Sequence, residues 1–105
     1  MWLFCKSGFF SAVQHSEFDG MMHVRARFEG DLERIAKKYR IAVDIIHTPL
    51  NDYPYRADIS RTDWIKVVKG ETIDIHYENF KNEVHDGTSR DQAYMAVWSA
   101  MRRNS

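Results

Sequence analysis

The 105 residues include fifteen basic and fifteen acidic side chains, so the chain has no net charge at neutral pH. That balance excludes a whole-surface attraction to nucleic acid or anionic membrane, and any such binding needs a local patch. With 44% hydrophobic and 13% aromatic residues the chain can bury a core as one domain, while its single cysteine, Cys5, rules out an internal disulfide and fits a reducing compartment.

Residues 1–6, Met-Trp-Leu-Phe-Cys-Lys, are too short and too aromatic for a signal peptide. β-rich runs at 2–4 and 9–13 flank Ser7-Gly8, which suits a tight hairpin turn, with Cys5 expected as a half-buried strand residue. A polar turn at 16–20 leads to a third strand over 21–28. Within it, Val24-Arg25-Ala26-Arg27-Phe28 alternates apolar and guanidinium side chains with the two-residue period of a strand. The order predicts a β-meander.

Gly30-Asp31 opens a helix in which Leu32, Ile35, Ala36 and Tyr39 fall on one stripe. Asp31 and Glu33 in its first turn, and Lys37, Lys38 and Arg40 in its last, complement the helix dipole. The β-branched run at 41–47 predicts a fourth strand, 49–54 a loop, and 55–59 a fifth strand. A helix follows, with Thr62 favoured over Ser60 as its cap and Lys69-Gly70 as its stop. Residues 77–84 predict a short helix. Thr88 or Ser89 caps a last helix whose Tyr94, Val97, Trp98 and Met101 form a stripe expected to be core, with an exposed partner-binding ridge as the alternative. The expected architecture is α+β: a single domain over 1–105, with an antiparallel sheet of about five strands (β-meander, helix, two further strands) and helices packed on one face. No window approaches the ~20 apolar residues of a membrane span, and a cytoplasmic location is expected.

Three constellations carry candidate chemistry. If the strands at 21–28 and 55–59 share a sheet, Arg25, Arg27 and Arg56 line one face and form a fork for phosphate. Tyr53, Tyr55 and Phe10 would add aromatic surface for bases. The simpler reading of the same arginines is a solvated face, paired across strands with Asp58, Glu17 or Asp44. The histidines, His15, His23, His47, His76 and His85, show no helical zinc spacing; His15 and His23 flank one turn and would face each other across it. His85 with Lys81 and Tyr77 is the remaining enzyme reading, and no nucleophile or metal motif accompanies it. No motif asks for a cofactor or a metal. Tyr53 also lies on a proline-stiffened loop, where it would make a contact point at low entropy cost.

Several segments together carry a resemblance: Gly8-Phe9-Phe10-Ser11, Val24-Arg25-Ala26-Arg27 with Gly30-Asp31-Leu32-Glu33-Arg34, Tyr55-Arg56, Tyr77 with Asn79-Phe80-Lys81, and the run from Ala93 through Tyr94 and Trp98 to Met101. On these the chain resembles a family of small uncharacterised proteins of bacteria and their phages, from which Ser89-Arg90-Asp91 departs where a histidine is expected. The resemblance implies a compact domain and a phage origin, and brings no activity, cofactor or catalytic residue. The expected function is non-enzymatic binding of a host or phage protein. One version is an inhibitor of a host defence complex, of the anti-CRISPR kind. Single-stranded RNA or a nucleotide is the alternative partner.

Overall fold

In the computed structural model, which describes residues 1–105, the first half of the chain folds into five strands that all pair antiparallel. β1 (Trp2–Cys5), β2 (Gly8–Gln14) and β3 (Met21–Ala26) form the expected meander. β5 (Tyr55–Ser60) pairs with β3, and β4 (Ile46–His47) lies outside it, giving the order β1-β2-β3-β5-β4. The first hairpin turns at Lys6-Ser7, one residue earlier than expected, since Cys5 pairs with Gly8. The fourth strand is shorter than the 41–47 run predicts. Residues 41–45 are irregular, and Ile41 is used to close the core instead of the ladder.

Alternation decides the two faces of the sheet. Phe10, Ala12, Met22, Val24, Ala26, Ala57 and Ile59 point one way and are buried. They meet Leu32 and Ile35 of α1 (Asp31–Tyr39) and Trp64 and Val67 of α2 (Arg61–Ile73) in one hydrophobic cluster. Each large side chain removed from water in this way contributes about 1.5–3 kcal/mol. The fold is α+β, with α1 and α2 over the same sheet face.

α2 corrects two expectations. Its cap is Ser60, whose Oγ accepts the Asp63 N–H at 3.1 Å, and Thr62 lies inside the first turn. Lys69-Gly70 does not stop the helix, which runs on to Ile73. Gly70 is there because the Tyr39 ring fills the space where a side chain would begin. A Cβ at this position would lie 2.2 Å from Tyr39 Cε1.

α1 and α2 are joined to the first hairpin by buried polar groups. Asp31 is fully buried; its carboxylate accepts the Phe9 N–H at 3.1 Å and Arg34 Nη1 at 3.0 Å. Arg34 also donates to the Ser7 carbonyl at 2.6 Å. Glu71, 7% exposed, accepts the Ser7 N–H at 3.2 Å, Lys38 Nζ at 2.7 Å, and the Tyr39 hydroxyl. Burial opposes ionisation of Glu71, but the hydrogen bonds from Lys38, Ser7 and Tyr39 outweigh it and hold the carboxyl at about 2. Burial, then the Glu71 carboxylate, pushes the Cys5 thiol up to about 12, so this cysteine is an inert core group.

The chain separates into two compact units, Met1–Ile75 and His76–Ser105. The second unit holds α3 (Phe80–Glu83) and α4 (Ser89–Arg103). The helix expected over 77–84 is reduced to one turn, because Asn79 caps it by accepting the Asn82 N–H at 3.1 Å. Thr88 caps α4 in the same way, accepting from the Asp91 N–H at 3.3 Å. The expected core stripe of α4 is only partly buried. Tyr94 is 5% exposed and stacks on Phe80, whereas Val97, Trp98 and Met101 are 39%, 45% and 67% exposed. Lys81 and Arg102 lie over the Trp98 ring at 4.2 and 5.5 Å, so cations cover what was expected to be apolar contact. No helix is long and apolar enough to cross a membrane.

Candidate functional site: an arginine row across the sheet

The sheet face opposite α1 and α2 carries a row that crosses all five strands. Its members, in register, are Trp2, Ser11, Arg25, Arg56 and Ile46. Arg25 and Arg56 are direct cross-strand partners, which places two like charges side by side. Arg25 Nη2 donates to Ser11 Oγ at 2.9 Å, while its Nε is buried with no hydrogen-bond partner. Arg56 Nε donates to the Tyr53 carbonyl at 3.4 Å. Neither makes an ion pair with a carboxylate.

Tyr53 gathers the three arginines. The Arg25 and Arg27 guanidiniums each lie 4.8 Å from the centre of its ring, and its carbonyl takes Arg56. Arg27, just beyond β3, also reaches Asp52 at 3.4 Å in an exposed pair, which contributes little. Of the carboxylates expected to neutralise the arginines, Asp58 is taken by two histidines, and Asp52, unnamed in that expectation, pairs with Arg27.

Two of the three aromatic residues expected on this face lie on the other. Phe10 has the opposite parity and is fully buried, edge-on to Trp64 at 6.1 Å. Tyr55 pairs with Ala26, so it too points to the helix side, where it packs against the core and stacks on His47 at 4.7 Å. Tyr53 is on the arginine face but only 7% exposed, its ring held between two guanidiniums and beside Phe9 at 6.3 Å. None of the three offers an open stacking platform. The side chains that do stand exposed on this face are Trp2 at 70%, Val13 at 38% and Ile46 at 58%. Sequence reading missed Trp2 and Ile46 because their place in the row depends on strand register, which a single-chain pattern does not give.

Beside Arg56 lies a cleft of about 500 Å³ between β5 and the irregular stretch before β4. Ala42, Val43 and Ile46 supply its apolar wall, and His23, Asp44, Arg56 and Asp58 its polar one. Two residue pairs along from the arginines, and so on the same face, His23 and Asp58 are direct cross-strand partners, with Nδ1 2.6 Å from Oδ1. His15 Nε2 reaches the other Asp58 oxygen at 3.6 Å, and the two imidazoles stack at 4.2 Å, facing each other across the turn.

The residues of the other proposed constellation, Lys81, His85 and Tyr77, have these contacts. Lys81 lies on Trp98, His85 Nδ1 contacts Asp91 Oδ2 at 2.8 Å, and Tyr77 neighbours Phe80 at 6.0 Å. None of these contacts joins Lys81, His85 and Tyr77 to one another. No family model, curated protein or solved structure matches the chain.

Proposed function

We propose that this protein is a binding protein, not an enzyme, and that its partner is another protein. The partner offers a peptide segment with a carboxylate for the Arg25–Arg56 pair. The observation that carries the reading is the pair itself: two cations opposed across β3 and β5 with no carboxylate between them. Opposed like charges oppose folding by a few tenths of a kcal/mol to about 1 kcal/mol. A bidentate carboxylate bridging them would remove that repulsion and supply charge-assisted hydrogen bonds.

The surroundings favour protein over RNA. Asp44 and Asp58 line the same cleft as Arg56, and a run of phosphates would meet both. A peptide can present both signs, and it can use the apolar wall of Val43 and Ile46 and the exposed Trp2. Stacking on bases, the usual source of sequence-tolerant RNA affinity, has no support from Tyr53, Tyr55 or Phe10.

The test is a titration of the isotope-labelled protein, followed by NMR, with a short peptide bearing glutamate, lysine and leucine and, separately, with oligouridylate. The expected result is saturable shifts of Arg56, Arg25 and Ile46 with the peptide that persist at moderate salt. Saturation by oligouridylate alone, lost steeply as salt rises, overturns the reading in favour of nucleic acid.

A further inference from the structure

His15 directly follows β2, His23 lies in β3 and Asp58 in β5, and their donor atoms all lie within 4.8 Å of one another. We propose that this trio binds a divalent transition-metal ion of the zinc class, through His15 Nε2, His23 Nδ1 and the Asp58 carboxylate. The inference is independent of the peptide partner, since it uses neither arginine.

The donor set is that of a borderline ion: two imidazole nitrogens and one carboxylate. Magnesium and calcium prefer oxygen donors, so they are excluded as the natural occupant. Zinc bonds of about 2.0–2.2 Å at tetrahedral angles put neighbouring donors about 3.4 Å apart. The His15–Asp58 separation of 3.6 Å already meets that spacing. His23 and Asp58, at 2.6 Å, share a proton whose place the ion would take, and they need to part slightly. The side chains have room to do so: His23 and Asp58 are 39% and 50% exposed, and both line the cleft beside Arg56. Three protein ligands leave at least one coordination position, which water or an anion from the cleft fills.

One existing contact must change. His15 Nδ1 accepts the Glu17 N–H at 3.0 Å, which places the ring proton on Nε2. Coordination through Nε2 moves that proton to Nδ1, so the Glu17 N–H must turn away. Glu17 is in the exposed turn after His15, where water replaces the lost bond. The shift supplies a local reporter, because the Glu17 amide must move when the ion binds.

The experiment is calorimetric titration of the metal-free full chain with zinc chloride, paired with amide NMR spectra. The expected result is one ion per chain, a displaced Glu17 amide, and no heat with magnesium. His15→Gln, His23→Gln and Asp58→Asn, each checked for native circular dichroism, weaken zinc binding more than about tenfold, the loss found even for outer-shell partners of metal sites. His85→Ala and Arg56→Ala retain it. The inference is overturned by a stoichiometry other than one, by zinc binding that survives in all three folded ligand variants, or by a Glu17 amide that stays fixed while zinc binds.

Discussion

Two charged regions of the first unit, one on each side of the sheet, are treated in opposite ways. Around Glu71 every charge is met: the carboxylate is held by Lys38, Tyr39 and Ser7, and Lys38 also reaches Asp74 at 2.5 Å. Across the sheet, Arg25 and Arg56 oppose each other without a carboxylate, and one buried guanidinium nitrogen has no partner. The first cluster ties α1, α2 and the β1–β2 turn together, so its pairing is accounted for by folding. The second does nothing comparable through Arg56, whose one hydrogen bond is long. A charge that the fold neither needs nor neutralises is the better candidate for a ligand.

The largest effect should come from breaking the paired region. Glu71→Ala leaves Lys38 partly buried beside Tyr39 and removes the Ser7 anchor, and should cost about 2–4 kcal/mol in urea unfolding. Gly70→Ala sharpens the same point. Helix propensity alone would make it stabilising by about 1 kcal/mol, but the Tyr39 ring occupies the site, so a net loss of about 1–3 kcal/mol is expected. Unchanged stability in either variant would show that α1 and α2 are joined more loosely than the geometry implies.

The pH dependence has a definite sign. Glu71 ionises at about 2 in the folded chain against an ordinary 4.5. Its stabilisation is therefore complete above about pH 4.5 and drains away as pH falls toward 2. Thermal melts across that window should show the fall, and Glu71→Gln should flatten it. In the second unit, Trp98→Ala should cost only about 1–2 kcal/mol, since the ring is half exposed and held partly by cations. The smallest effect belongs to the unpaired region: Arg56→Ala should leave stability within about 0.5 kcal/mol of wild type, or raise it slightly.

Four of the five strands and the three longer helices were legible in the sequence, as in the alternation through Val24 and Ala26 and the stripe through Leu32 and Ile35. The meander could be read from turn residues alone. What could not be read was register. Phe10 and Phe9 are adjacent, and which of them faces the arginines depends on a pairing one residue either way. Tyr53 was legible as a contact residue of a stiff loop, but not as the ring between two guanidiniums. Gly70 looked like a stop because a close approach by Tyr39, 31 residues earlier, leaves no local trace. The His15–His23–Asp58 trio draws on the residue after β2 and on two further strands, so no spacing motif announces it. The stripe through Trp98 fitted a core or an exposed ridge, because periodicity gives a face and not what lies over it.

The account turns on whether the Arg25–Arg56 pair serves a partner, and the most direct measurement is the affinity of a fluorescently labelled glutamate-bearing peptide for wild type and for Arg56→Ala. The prediction is saturable binding to wild type and a loss of about tenfold or more in the variant, with both equally stable in urea. Equal affinity for the two proteins, or a variant that loses stability instead of binding, would contradict it.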